Sequence, residues 1–210
     1  YAGEPVSMHC AKALNSMLEP GDIVYIMTGF ILRPPRQPET DGIVGAILLA
    51  RALVEAYDVK PVIVCPEENV VAIKNCSPLI GMHLYEDIST LLEMPQSFGV
   101  YPFTKKMEEV EENIHRLFSY GLPKVLISTE APGANKKGEY HNAVGINMTE
   151  LEAKMDGLFD AVKNLGIKTF AVGDLGNEIG MGAIGEHIRK YIPYAAEGEC
   201  QCGCGGGLLA

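Results

Sequence analysis

The stretch from residue 173 to residue 182 has the composition of a ligand-binding turn, because four glycines are interspersed there with two acidic residues and an asparagine. It follows an apolar run, 168–172, and precedes a helix-like run, 183–191. A glycine-rich turn before a helix leaves backbone N–H groups free to bind a ligand. We therefore predict a binding site there, and an ordinary turn with acidic N-cap residues is the alternative.

Two earlier stretches, 28–42 and 129–142, also follow apolar runs and are rich in polar residues. Loops that follow parallel strands lie at one edge of an α/β sheet, where ligands bind in a crevice. We therefore expect the polar side chains of all three stretches to meet. These side chains belong to Thr28, Arg33, Thr40, Asp41, Glu130, Asn142, Asp174, Asn177 and Glu178.

Several carboxylates brought together at one edge would repel each other and raise one another's pKa, unless a cation neutralises them. Hard divalent cations prefer oxygen ligands, so the sequence predicts a bound Mg²⁺ or Mn²⁺. The alternative is that Asp41, Asp174 and Glu178 only cap helices at three separate turns. His141 could bind a metal or carry a proton, but a single loop histidine is more often neither.

The elements that must position these residues alternate between apolar runs and helix-like segments. The runs predicted to form core strands are 23–27, 62–64, 125–128 and 169–172. This alternation predicts an α/β fold, a doubly wound, mainly parallel sheet with helices on both faces. Residues 91–103 contain Pro95, Gly99 and Pro102 and are predicted to be irregular. We expect one domain over residues 1–210, and whether either end is trimmed stays open.

The composition argues against several classes of partner. With 17 basic and 27 acidic residues the net charge is −10, which argues against nucleic acid and anionic membranes. No apolar run approaches the roughly 20 residues of a membrane-spanning helix. We expect a cytoplasmic protein that binds a small carboxylate or amino acid. Apolar, methionine-containing surface segments make a homo-oligomer the expected assembly.

The six cysteines form two groups. Cys10, Cys65 and Cys76 are scattered, and we interpret them as buried thiols. Cys200, Cys202 and Cys204 alternate with other residues in a glycine-rich tail. We interpret these three as reduced and structural, or disordered; binding of a soft metal by their thiolates is the alternative.

Three groups of residues resemble motifs of the D-glutamate cyclase C-terminal family, and the resemblance covers the chain from about residue 28 to residue 182. The first group is Gly29-Phe30 with Pro38-Glu39-Thr40-Asp41-Gly42. The second is Glu130 with Gly133, Gly138, Tyr140 and Asn142, and the third is the stretch 173–182. The resemblance implies an enzyme that closes D-glutamate to 5-oxo-D-proline with loss of water, or acts on a related small amino acid or its lactam.

The resemblance also implies roles for single residues. Glu130, Asp174 and Glu178 would hold the Mn²⁺ or Mg²⁺, and Asp41 would be the general base that takes the amine proton. The expected substrate-binding residues are Thr28, Arg33, Thr40, Asn142 and Asn177. Alanines at positions 131 and 134 stand where we would expect the family to carry arginines, so a different substrate stays open.

Two other functions are compatible with these residues. The same metal and base could activate water in a hydrolase of a small lactam, amide or phosphate ester. Outside enzymes, the chain could be a ligand or metal sensor in which residues 200–204 report redox state or metal.

Overall fold

The computed structural model describes residues 3–32, 34 and 36–210. Six strands form one parallel sheet in the order β5-β6-β4-β1-β7-β8, and two short strands, β2 and β3, form an antiparallel pair. The strands are β1 Ile23–Met27, β2 Ile31–Leu32, β3 Gln37–Pro38, β4 Lys60–Cys65, β5 His83–Tyr85, β6 Ser97–Pro102, β7 Val125–Thr129 and β8 Lys168–Val172. The parallel α/β sheet that the sequence predicts is therefore confirmed.

Seven α-helices surround the sheet in the described residues: α1 Val6–Met17, α2 Thr40–Tyr57, α3 Glu67–Cys76, α4 Ile88–Glu93, α5 Val110–Phe118, α6 Asp156–Asn164 and α7 Gly185–Tyr191. Short 3₁₀ helices cover Ser77–Ile80, Met107–Glu109 and Met181–Ile184. None of the helices in this described part of the chain has the length and apolar character needed to cross a membrane.

Both faces of the central strand β1 are buried, and its successive side chains point to opposite faces of the sheet. Val24 and Ile26 of β1 belong to a core that includes side chains of α2 and α3. Tyr25 and Met27 belong to a second core on the other face, with side chains of α4, α5 and α6. This double burial explains why β1 is a continuous apolar run without polar alternation.

The prediction of an irregular segment at 91–103 is wrong, because this segment contains β6, which lies between β5 and β4. Glycine and proline are typical of loops, but Gly99 and Pro102 both fit within β6. A Cβ on Gly99 would lie 2.8 Å from the side chains of both Ile88 and Leu91, so glycine lets α4 approach the sheet. Pro102 is the last residue of β6, where the strand pairing ends.

Candidate active site

The three polar loops converge at one edge of the sheet, as predicted, because β1, β7 and β8 are neighbours in it. Backbone hydrogen bonds join the loops: the N–H of Gly29 donates to Glu130 O at 3.0 Å, and the N–H of Ile179 donates to Ala131 O at 2.9 Å. A further bond runs from the N–H of Gly133 to Asn177 O at 2.9 Å. The side chains at this edge are therefore held by one connected backbone network.

A cavity of about 250 Å³ lies at this edge. Its polar lining consists of Glu39, Asp41, Glu130, Asn142, Asp174, Asn177 and Glu178. Its apolar walls include Phe30, Ile31 and Met148. None of the lining residues in the described ranges is lysine, arginine or histidine, so the cavity carries a strongly negative set of side chains.

Glu130, Asp174 and Glu178 form the tightest group of carboxylates in the cavity. Each offers one oxygen, and the three oxygens lie within 4.8 Å of one another. These are the three residues proposed from the sequence as metal ligands. The structure brings them together, and such a set of oxygens is chemically suited to a hard divalent cation.

Glu178 is 1% exposed, and the glycine-rich turn holds its carboxylate in place. Its Oε1 accepts hydrogen bonds from the N–H groups of Asp174 at 3.0 Å and Leu175 at 3.1 Å, and its Oε2 accepts one from Gly176 N–H at 2.7 Å. These hydrogen bonds offset the free-energy cost of burying the carboxylate. A Cβ on Gly173 would lie 2.7 Å from the carboxylate carbon, so the turn requires glycine there.

Glu130 follows β7 in a left-handed backbone conformation, with φ of +48°. Non-glycine residues in this region are strained and cluster at functional sites. Burial, followed by the charges of Glu178, Asp174, Asp41 and Glu39, raises the pKa of Glu130 to about 8. Without a cation beside it, this side chain would hold a proton at neutral pH.

Two further carboxyl groups have perturbed acidity. Burial raises the pKa of Asp174, and its hydrogen bond and charge interaction with Glu178 add to the effect. Burial and the neighbouring charges of Asp41, Asp174 and Glu178 raise the pKa of Glu39. The mutual repulsion inferred from the sequence is therefore a property of the folded site.

Glu39 is the site residue that we did not predict as functional. It immediately precedes α2 and lines the cavity beside Asp41. Its place within the motif of residues 38–42 was the signal that could have identified it. The alternative that Asp41 only caps a helix is wrong, because Glu39 is the N-cap residue of α2 and Asp41 lies inside its first turn. Asp41 Oδ1 accepts a 2.6 Å hydrogen bond from Gly42 N–H.

The two asparagines predicted to bind substrate both line the cavity. Asn142 Oδ1 accepts hydrogen bonds from the N–H groups of Val144 and Ile146, at 3.1 and 3.0 Å, and so fixes its own turn. Asn177 Nδ2 donates to His141 O at 2.9 Å. Asn177 Oδ1 is buried, and no atom of the described residues donates a hydrogen bond to it.

Three other predicted substrate-binding residues do not line the cavity in the described structure. Thr28 is fully buried, and its Oγ1 lies 2.6 Å from the position that a Cβ on Gly42 would take, which places it beneath the start of α2. Thr40 is exposed at the first residue of α2. Arg33 lies outside the described residues, although its neighbour Leu32 lines the cavity.

Comparison with known proteins identifies the family. The sequence profile described as D-glutamate cyclase-like, C-terminal, matches residues 5–210. The chain belongs to this family. The D-glutamate cyclase-like chain is also 41% identical over 179 residues to a human protein named "D-glutamate cyclase, mitochondrial". That match covers 81% of this chain but only 27% of the human protein, so the chain spans about a quarter of that relative.

Proposed function

We propose that the acidic cavity is the active site of a metal-dependent lyase of the D-glutamate cyclase type. The reaction would interconvert D-glutamate, or a related small amino acid, and its lactam 5-oxo-D-proline. Membership of the D-glutamate cyclase-like family supports this assignment. The observation that carries it is the triad Glu130, Asp174 and Glu178, which is assembled in a cavity that no described cationic side chain lines.

The shape of the cavity suits a small substrate. A volume of about 250 Å³ is at the low end for ligand pockets, so an amino acid fits better than a polymer segment. The apolar walls formed by Phe30, Ile31 and Met148 can contact methylene groups. Asn142 and Asn177 line the cavity, so their side chains are placed to contact a small polar substrate.

The donor set fits a divalent cation. Glu130, Asp174 and Glu178 supply three oxygens, and burial followed by interactions with the neighbouring carboxyl groups raises the pKa of Glu130 and of Asp174. These three residues would hold Mn²⁺ or Mg²⁺. When bound, such an ion offsets the charge of a substrate carboxylate and polarises its carbonyl group. A dicarboxylate could otherwise enter this cavity only against strong repulsion.

The side chains around the triad have separate tasks in ring closure. The amine nitrogen forms a bond to the substrate's distal carboxyl carbon, a C–O bond breaks, and the departing oxygen leaves as water with the two protons that the substrate's ammonium group loses. Asp41, at the start of α2, takes the proton from the attacking amine as general base. Glu39 lines the cavity together with Asp41, and burial and the charges of the neighbouring carboxylates raise its pKa. Asn142 and Asn177 orient the substrate, and Arg33 remains our predicted partner for the second carboxylate.

The test is an NMR assay that follows D-glutamate and 5-oxo-D-proline with metal-stripped protein and with protein reloaded with Mn²⁺ or Mg²⁺. We expect interconversion that chelation abolishes and metal restores. Asp41→Asn should lower kcat by about 10²- to 10⁴-fold, the range for loss of a general base. The exposed Glu111→Gln on α5 is the matched control and should keep full activity. Interconversion that persists after complete chelation, or an unaffected Asp41→Asn, would contradict the proposal.

Several finer expectations stay predictions. A hydrolase would share the same residues and would differ in which compound accumulates, since it opens a ring or cleaves an ester instead of closing a ring. The cytoplasmic location and the homo-oligomer rest on the sequence alone, and the human relative is named as mitochondrial.

A further inference from the structure

A second group of potential metal ligands lies outside the acidic cavity. It consists of His141 from the second polar loop together with Cys200, Cys202 and Cys204 from the glycine-rich tail. Their ligand atoms all lie within 4.8 Å of one another. From this cluster we propose that the chain carries a structural zinc site of the Cys₃His type, separate from the carboxylate triad.

The distances between the ligand atoms match a tetrahedral site. His141 Nε2 lies 3.1 Å from Cys202 Sγ and 3.7 Å from Cys204 Sγ. Cys200 Sγ lies 3.4 Å from Cys204 Sγ and 3.6 Å from Cys202 Sγ. Zinc bonds of about 2.3 Å to sulfur and about 2.0–2.1 Å to nitrogen, arranged tetrahedrally, separate the ligand atoms by roughly 3.6–3.8 Å. One ion at the centre therefore needs only small shifts of these side chains.

Other states of these sulfurs explain the geometry less well. The three thiols are free, and their separations far exceed a disulfide bond of about 2.05 Å. An iron–sulfur cluster would spread its ligands over two or more irons, whereas these four atoms all lie within 4.8 Å of one another. Three thiolates and an imidazole are soft and borderline ligands, which favour zinc over Mg²⁺ or Mn²⁺.

Backbone and side-chain donors orient the sulfurs. The N–H groups of Cys204 and Gly206 approach Cys202 Sγ and Cys204 Sγ, each at 3.4 Å, and Asn135 Nδ2 approaches Cys204 Sγ at 3.5 Å. Such outer contacts position metal ligands and stabilise thiolate charge. His141 is 1% exposed and presents Nε2 to the sulfurs. With four protein ligands the site has no open position, which is typical of structural zinc rather than catalytic zinc.

The position of the cluster gives the zinc a defined role. His141 O accepts the hydrogen bond from Asn177, a residue of the acidic cavity, and the next residue, Asn142, also lines that cavity. The tail is joined to the same region, because Gln201 N–H donates to Gly145 O at 3.0 Å and Ala210 N–H donates to Gly176 O at 2.9 Å. The zinc would therefore hold the tail against the loop that carries His141 and Asn142, and the bond from Ala210 joins the same tail to the glycine-rich turn.

The experiment measures zinc in the full chain, purified with reductant and without a histidine tag. We expect about one zinc per chain, whose X-ray absorption spectrum fits three sulfurs at about 2.3 Å and one nitrogen at about 2.0–2.1 Å. Cys202→Ser should lower zinc content at least about tenfold, since it removes one of four ligands. Cys202 is exposed, so its substitution removes a ligand with little effect on packing.

Two control variants separate this site from other effects. Cys10→Ser changes a cysteine of α1 far along the chain from the cluster and should keep the zinc. Asp174→Asn alters the carboxylate triad and should also keep it. These readouts do not depend on cyclase activity. Three outcomes would each overturn the proposal. The first is wild-type protein that holds no zinc and has free thiols at all three of residues 200, 202 and 204, and the second is a disulfide among residues 200–204. The third is zinc that is lost from Asp174→Asn but retained in Cys202→Ser.

Discussion

Single residues of the acidic cavity differ in how far the sequence predicts them. Glu130, Asp174 and Glu178 come after core strands, so the sequence predicts that they meet at one edge, and the family resemblance implies their role as metal ligands. The structure brings their oxygens within 4.8 Å. Thr28 also follows a strand, yet it is buried beneath α2. Sequence position identifies the loop that carries a side chain. The direction of the Thr28 side chain, however, depends on its packing against Gly42, which the sequence does not reveal.

Glu152 provides a prediction about stability that is independent of the metal sites. It is fully buried; its Oε1 accepts a 3.3 Å hydrogen bond from Ile31 N–H, and its Oε2 has no hydrogen-bond partner in the structure. Burial raises the pKa of Glu152 from 4.5 to about 8. Between these pH values the folded chain binds a proton that the unfolded chain does not, so stability falls as pH rises.

Glu152→Gln removes this ionisation. The variant should match the wild type near pH 4.5 and become more stable by on the order of 1–3 kcal/mol at pH 8 and above. Denaturant unfolding at several pH values measures the difference. The neighbouring exposed Glu150→Gln is the control and should show no such trend. A difference between Glu152→Gln and wild type that does not change with pH would contradict the buried, proton-binding role.

At the scale of elements, the order of the strands makes the site. The four strands predicted from apolar runs are adjacent in the order β4-β1-β7-β8, so the loops that follow β1, β7 and β8 share one edge. β6 was missed because Gly99 and two prolines are typical of loops, and only the packing of α4 against Gly99 explains a glycine within a buried strand. Local composition cannot distinguish a glycine that ends a strand from a glycine that allows a helix to pack closely against a strand.

The turn before Glu178 gives a prediction at this scale. In Gly173→Ala the new Cβ would meet the Glu178 carboxylate at 2.7 Å, so that carboxylate must move away from its three N–H donors. We expect Mn²⁺ affinity to fall about tenfold or more while the fold persists, because displaced ligands lose preorganised geometry. Calorimetric titration with Mn²⁺ measures the effect.

Gly45→Ala is the matched control for that substitution. Gly45 lies within α2, and the nearest atom to its added Cβ, Thr129 Oγ1, is 3.8 Å away. Alanine should therefore leave Mn²⁺ affinity unchanged and stabilise the helix by up to about 1 kcal/mol. Equal Mn²⁺ affinity in Gly173→Ala and Gly45→Ala would contradict the prediction that the glycine-rich turn positions Glu178.

At the scale of the whole molecule, two candidate metal centres of opposite chemical character lie close together. The carboxylate triad suits a hard cation, and the cluster of His141 with three cysteines suits zinc. The sequence favours tail cysteines that are reduced and structural, or disordered, with binding of a soft metal as the alternative. It gives His141 separately, as a loop histidine that could bind a metal or carry a proton but is more often neither. The local sequence does not indicate that these residues form one cluster, because 58 residues separate His141 from Cys200 and only the folded tail brings them together.

A titration of the protein with Mn²⁺, followed by electron paramagnetic resonance, tests whether the carboxylate triad binds a metal ion. The carboxylate triad predicts about one tightly bound Mn²⁺ per chain, with affinity reduced at least about tenfold in Asp174→Asn, because a ligand oxygen is lost from an otherwise intact site. Asp160→Asn, an exposed aspartate of α6, should bind as the wild type does. Equal Mn²⁺ affinity in Asp174→Asn and wild type, or no Mn²⁺ binding by the wild type, would contradict the account.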